Sequence, residues 1–285
     1  RLKTDPSIFC RNQPVYSPPL YIPHCRHPDV ISMGMQPMGS HWLERSEHQA
    51  ALTAHKQERR AALGEAVYKV LPEGLDAACE LARKVSEFAL SEPLPLEQFP
   101  REEWLWQASL AIHEDLVVMA SIGGEYTMVA ASLCSPSHWR LPEKIGRPMS
   151  RIHDPIPTIH DRLTPKIDRV FEFLTVDRPV ERFNWSIQED DVLFCWPLDH
   201  EQSFAPEHPL FYRVERQTLS RLPESEALAF TIAVHIDPLD SLGASPGAMQ
   251  ALFDAIDANP ESVRRYKNFD VLAPALEKYR KYCHL

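Results

Sequence analysis

Leu116-Val117-Val118-Met119-Ala120, then Gly123-Gly124, then Tyr126-Thr127-Met128-Val129-Ala130-Ala131 is the stretch on which the fold turns. Two apolar runs of strand length flank a Gly-Gly pair, and glycine alone takes positive φ without strain. The stretch therefore predicts a β-hairpin. Ser135-Pro136-Ser137 stops the second strand, since proline has no N–H to give to a ladder. Upstream, Trp42-Leu43 opens a charged, Ala-rich run to about Ala89, interrupted at Leu71-Pro72-Glu73-Gly74. Ala51, Ala54, Ala61 and Ala62 alternate with Glu and Lys, and Leu75, Ala78, Leu81 and Val85 recur at helical spacing. This predicts two helices joined by a Pro-Gly turn, the first supported by an i,i+4 pair from Glu65 to Lys69. Residues 91–100 carry three prolines and read as a connector.

Downstream, Pro142, Pro148, Pro155 and Pro157 rule out one unbroken helix over 142–160, and helical spacing returns at Ile167, Val170, Phe171 and Leu174. Arg182 to Ile187 and Leu210 to Leu219 read as strands around a loop of Pro, His and acids. Ala227 to Val234 is a continuous apolar strand that should end before Asp237-Pro238, and the tail from about Ala248 is helical with a break at Asn259-Pro260. Helices, strands around a helical insertion, and helices again predict an α+β fold. Its sheet should be largely antiparallel and flanked by N-terminal and C-terminal helices. Residues 1–40 are Pro-rich and read as an arm over the surface of a single domain spanning 41–285.

The 285 residues are 44% hydrophobic and 25% charged, with a net charge of −10. Such a balance disfavours phosphate backbones, so nucleic acid is not an expected partner. The six cysteines form no Cys-x-x-Cys pair, which suggests neither a zinc nor an iron–sulfur cage and reads as a reducing, cytoplasmic setting. No stretch is apolar enough to span a bilayer; the chain starts at Arg1, so upstream targeting or membrane attachment is unknown. Neither a Gly-rich strand-to-helix turn nor a Gly-x-Ser-x-Gly elbow is present, which leaves no support for a nucleotide fold or a serine hydrolase.

Three places carry candidate chemistry. His153 is followed by Pro155 and Pro157 and neighboured by Lys144, Arg147 and Arg151. A fixed imidazole among cations could ligate haem iron while the cations meet its propionates. From the residues alone, a surface-loop histidine is the stronger reading. Arg182, Asn184 and Ser186 alternate along one strand, giving either a wet outer face or a pocket lining. Glu215 and Arg216 lie in a strand whose Arg213, Glu215 and Gln217 face one way. A buried carboxylate near Arg could relay protons; a cross-strand ion pair is the plainer reading. The remaining imidazoles considered, His235, His160, His24, His27, His41, His48 and His55, show no spacing of a tetrahedral or facial-triad metal site. His48 and His55 fall on one helical face that the Ala- and charge-rich surroundings mark as solvated.

An ordered series of segments resembles one family. It runs Met33-Gly34-Met35-Gln36-Pro37, Trp42-Leu43, Glu114-Asp115-Leu116, Val129 to Trp139, Glu143-Lys144-Ile145-Gly146-Arg147-Pro148 and Ile152-His153-Asp154-Pro155-Ile156-Pro157. Arg182 to Ile187, Val214 to Leu219, Arg221-Leu222-Pro223, Phe230-Thr231-Ile232 and Arg265-Tyr266-Lys267 continue it. Together they resemble the haem-binding alpha subunit of the haem-dependent oxidative N-demethylases, a dimethylamine monooxygenase-like family. The resemblance implies a PAS-like antiparallel sheet holding haem b, and oxidation of a small secondary amine such as dimethylamine by O2 to the primary amine and formaldehyde. Electrons would come from NADPH through a separate flavin and [2Fe-2S] reductase subunit, and tetrahydrofolate could take up the formaldehyde. It further implies His153 as the proximal iron ligand, Arg182 and Glu215 as distal residues acting on bound oxygen, and Lys144 and Arg147 as propionate partners. Two departures stand out: a shorter loop between Ile187 and Leu210, and Thr231-Ile232-Ala233-Val234-His235 where the family more often carries Arg and an aromatic. A related haem oxygenase with another substrate, or a haem-PAS sensor without turnover, are the alternatives.

Overall fold

Gly123 and Gly124 take φ of 61° and 90°, and around them β3 (Asp115–Ile122) pairs antiparallel with β4 (Glu125–Ser132). The computed structural model describes residues 16–29, 34–39, 41–152, 164–198 and 201–283. Three long strands form a meander: β5 (Val180–Gln188), β6 (Phe211–Arg221) and β7 (Leu228–Pro238). The last of them returns to lie beside β3. Two short strands, β1 (Gln36–Pro37) and β2 (Tyr68–Val70), add to the edges. The result is one seven-stranded sheet in the order β1-β5-β6-β7-β3-β4-β2, antiparallel at every pairing. With its helices, it is an α+β fold.

Strand periodicity gives the sheet two unlike faces. One carries Leu116, Val118 and Ala130 against α2 (Leu75–Ala89) and α3 (Trp104–Leu110). Further along the same face, Trp185, Tyr212 and Val214 meet α6 (Ala248–Ala258), α7 (Glu261–Tyr266) and α8 (Ala273–Tyr282). The opposite face carries Val117, Met119, Leu219, Ile232 and Val234 beneath α4 (Met149–Ile152) and α5 (Thr164–Phe173). The terminal helices thus share one face, and the insertion between β4 and β5 takes the other. Each fully buried Leu or Val contributes roughly 1.5–3 kcal/mol.

Several expectations change in detail. The run before Pro72 is not helical to its end: α1 (Gln49–Leu63) stops at Gly64, which has φ of 53°. The chain then joins the sheet as β2, because Val67 and Tyr68 are buried against it. Glu65 and Lys69 do pair, at 2.6 Å, but across a 3-10 turn and a strand rather than along a helix. Helix α3 follows the proline connector, where its short Trp-rich segment has little periodicity to betray it. Strand β7 runs through Asp237-Pro238, since Pro238 sits at the strand's end opposite Phe211, where a missing N–H costs little. His55 is half-buried, its Nε2 2.8 Å from the carbonyl of Cys134, so the α1 surface near it is not solvated. At Gly74, where the chain enters α2, a Cβ would lie 2.6 Å from Val129 Cβ. Only glycine lets α2 begin so close to β4.

Candidate functional site

Register brings the polar residues of β5 and β6 onto one face. Arg182 pairs with Gln217, Asn184 with Glu215 and Ser186 with Arg213, so all six lie on the face of Ile232 and Val234. Ser186 is buried, and Arg182 and Asn184 are half-buried. The alternation therefore lines the interior rather than a wet outer side.

Glu215 is the hub. Its Oε1 accepts from Arg213 Nε at 3.2 Å, and its Oε2 accepts from Gln217 Nε2 at 2.9 Å and Asn184 Nδ2 at 3.1 Å. Burial alone would raise this carboxyl, but Arg213, the Asn184 hydrogen bond and Lys267 outweigh it and hold the group below its ordinary value. Arg213 is 0% exposed. Its terminal nitrogens reach Ser135 O at 2.6 Å and Leu193 O at 3.1 Å, so its position is fixed from the start of the insertion and from the loop between β5 and β6. Lys267 donates to Asn184 Oδ1 at 2.7 Å and to the Trp185 carbonyl at 3.1 Å. Burial lowers its ammonium to about 8, with Arg182 and Arg213 adding to the effect and Glu215 opposing it. Arg182 also lies in the field of Glu215, and burial lowers it. A carboxylate with five cationic or amide groups around it can hold, exchange or orient a proton on a small polar molecule.

The other predicted residues fall elsewhere. Lys144 is buried, and its Nζ donates to the Ile152 carbonyl at 2.5 Å. Arg147 is exposed, and its backbone carbonyl accepts from Met128 N at 3.1 Å, on β4. Beta-4 lies three strand positions from β6, the strand that carries Glu215, about 14 Å at ordinary strand spacing. These two cations are thus not part of the Glu215 cluster, although the segment that carries them covers the same face: Ile145, Met149 and Ile152 all pack on it. His153 and His160 lie outside the described residues.

Two groups escaped sequence reasoning. Lys267 appeared only within a family-like segment; its location after a short helix, α7, gives no hint that it reaches under the sheet. On the helix-covered face, Arg216 donates to Glu181 Oε2 from Nε at 3.0 Å and from a terminal nitrogen at 2.8 Å, and lies 3.7 Å from Glu44 Oε1. Glu215 and Arg216, neighbours in sequence, therefore serve opposite sides of the sheet. Beside Glu44 stand His235 and His113; burial and the adjacent His235 push His113 down to about 4. A cleft of about 530 Å³ lies farther off, at the hairpin turn, lined by Gly124, Tyr126, Met149, Glu172 and Arg221. It holds none of the predicted site residues.

A single antiparallel sheet is covered by the terminal helices on one face and carries a buried charged cluster on the other, beneath the insertion. The model of the family "haem-dependent oxidative N-demethylase, alpha subunit-like" matches residues 87–277, and the chain belongs to that family. The match takes in β3 to β7, Glu215 and Lys267. No helix among the described residues is long and apolar enough to cross a membrane.

Proposed function

We propose that this chain is the haem-binding subunit of a monooxygenase that removes an N-methyl group from a small secondary amine of the dimethylamine kind. The family match over 87–277 carries the reading. The sheet supports it: a hairpin, a helical insertion and a three-stranded meander returning to the hairpin's first strand suit a PAS-like cup. The residues present also fit a haem b. Phe230, Ile232, Val234 and Ile236 offer an apolar wall beside the polar end formed by Arg182, Asn184 and Glu215.

In this reading His153 would ligate the haem iron. Lys144, by binding the Ile152 carbonyl, fixes the backbone just ahead of it, and Lys144 and Arg147 are the cations for the propionates. When bound, haem supplies oxygen activation and hydroxylation of the methyl carbon, after which the carbinolamine collapses to formaldehyde and the primary amine. The protein's own part is electrostatic. Glu215, kept ionised by its donors, faces the protonated amine and takes up a proton at its carboxylate. Arg182 offers N–H donors to developing negative charge. Arg213 holds Glu215 in place, and Lys267 holds Asn184 beside it. The electrons would arrive from NADPH through a separate flavin and [2Fe-2S] subunit, and the setting would be cytoplasmic.

The test is an absorption spectrum of haem-reconstituted protein beside His153→Ala, then formaldehyde release from dimethylamine with NADPH and a reductase. A Soret band that weakens or shifts in the variant is expected; an unchanged band would reject the ligand assignment, and no band in either protein would reject the function. Glu215→Gln should keep the Soret band and lose turnover by roughly 10²–10⁴-fold.

A further inference from the structure

Glu44, His113 and His235 come from three separate segments: the stretch before α1, the turn before β3, and β7. Their candidate ligand atoms all lie within 4.8 Å of one another. The two oxygens of Glu44 have different surroundings. Oε1 accepts from the Tyr21 hydroxyl at 2.8 Å and lies 3.7 Å from Arg216. Oε2 faces the imidazoles, 2.7 Å from His235 Nε2 and 3.7 Å from His113 Nδ1. The outward oxygen is thus held in place, and the inward one is left to the histidines.

The orientation of His113 is set by its other nitrogen. Nε2 lies 2.9 Å from the Val234 carbonyl, and a carbonyl can only accept, so Nε2 carries a hydrogen. Nδ1 is the atom that faces Glu44. An imidazole oriented by a backbone carbonyl, and a carboxylate oriented by a hydroxyl, are the outer contacts that commonly fix metal ligands. Donor atoms about 2.1 Å from one ion, at tetrahedral angles, stand roughly 3.4 Å apart. The observed separations of 2.7 and 3.7 Å bracket that value. All three side chains are partly or largely covered, at 12%, 9% and 19% exposure for Glu44, His113 and His235, so an ion can reach them while most of its shell is protein.

We propose that Glu44, His113 and His235 form a metal site for a divalent first-row transition ion, on the face of the sheet opposite Glu215. Two imidazoles and one carboxylate suit Zn²⁺ or Fe²⁺ and leave positions open; a single carboxylate oxygen suits Ca²⁺ or Mg²⁺ poorly. A bound ion would tie the segment before α1 to β3 and β7. The site does not rest on the haem reading, because none of its ligands touches the Glu215 cluster.

The probes are Zn²⁺ by calorimetry and Co²⁺ by visible absorption, on chelator-treated full chain. Wild type should bind one equivalent of Zn²⁺, give Co²⁺ ligand-field bands, and melt at a higher temperature with Zn²⁺ than without. His235→Ala and Glu44→Gln should each weaken that equivalent by more than about 100-fold, whereas His48→Ala, on the exposed start of α1, should leave it intact. His235 is the most exposed of the three, so its variant keeps the test valid if the others fold poorly. Binding of equal affinity in wild type and His235→Ala would overturn the proposal. So would the absence of a tight Zn²⁺ equivalent in the wild type.

Discussion

Strand β6 sends Arg213 and Glu215 to one side of the sheet and Arg216 and Thr218 to the other, and the two sides use buried charge differently. Beneath the insertion one carboxylate is saturated: Glu215 accepts from Arg213, Asn184 and Gln217. Under the terminal helices one guanidinium joins two carboxylates, Glu181 and Glu44, and the second of these also meets two imidazoles. The first arrangement fixes a charge by surrounding it with donors. The second leaves nitrogen and oxygen atoms turned toward one another. The lesson is that alternation along one strand can equip two sites of opposite character, provided each face is dry enough for the charges to count.

The largest effect that would break this comparison is expected from Arg213→Met. It strips Glu215 of its principal cation while leaving the carboxylate buried, and urea denaturation should show a loss of about 3–5 kcal/mol. A loss below about 1 kcal/mol would mean that Glu215 is far better solvated than its surroundings indicate. Lys267 tests the same cluster through pH. Its folded value of about 8 lies below the ordinary lysine value of about 10.4. Between those two values the unfolded chain binds a proton that the folded chain does not, so stability should rise with pH across this window. Below it both states are protonated, and the cost of the buried ammonium is present in full. Lys267→Met should remove that rise in denaturation curves taken at several pH values, and an unaltered rise would reassign it to another group.

On the helix-covered face, Thr218 and Thr231 share a buried hydroxyl pair at 2.6 Å. Thr231→Val should cost about 1–2 kcal/mol by stranding its partner, and adding Thr218→Val should recover most of it. An additive double variant would show that the pair is not a unit. The smallest effect is expected at the surface. Glu65, whose side chain is 78% exposed, pairs with Lys69, and Glu65→Ala should change the melting free energy by less than about 0.5 kcal/mol. A larger change would mean that edge strand β2 depends on this pair.

Local chemistry made much of the fold legible. Gly123-Gly124 between apolar runs specified the hairpin, and the alternation in Arg182 to Ile187 and Tyr212 to Leu219 specified strands with one polar face. The helical tail and its break at Asn259-Pro260 followed from spacing and from proline's missing N–H. Segments that take their structure from neighbours were not legible. Tyr68–Val70 reads as the end of a helix and becomes a strand because β4 offers it an open edge. The short α3 has too few residues for its period to register.

The same division holds at the sites. Sequence by itself determined that Arg182, Asn184 and Ser186 share a face, as do Arg213, Glu215 and Gln217, because a strand's side chains alternate whatever surrounds them. It could not say whether that face was wet, since dryness depends on what the insertion covers. Only the tertiary structure set Asn184 opposite Glu215, brought Lys267 to them from beyond β7, and turned Arg216 away toward Glu181. Only it gathered Glu44, His113 and His235, which lie 69 and 122 residues apart along the chain. No local spacing encodes that meeting; sheet register and the packing of the segment before α1 produce it.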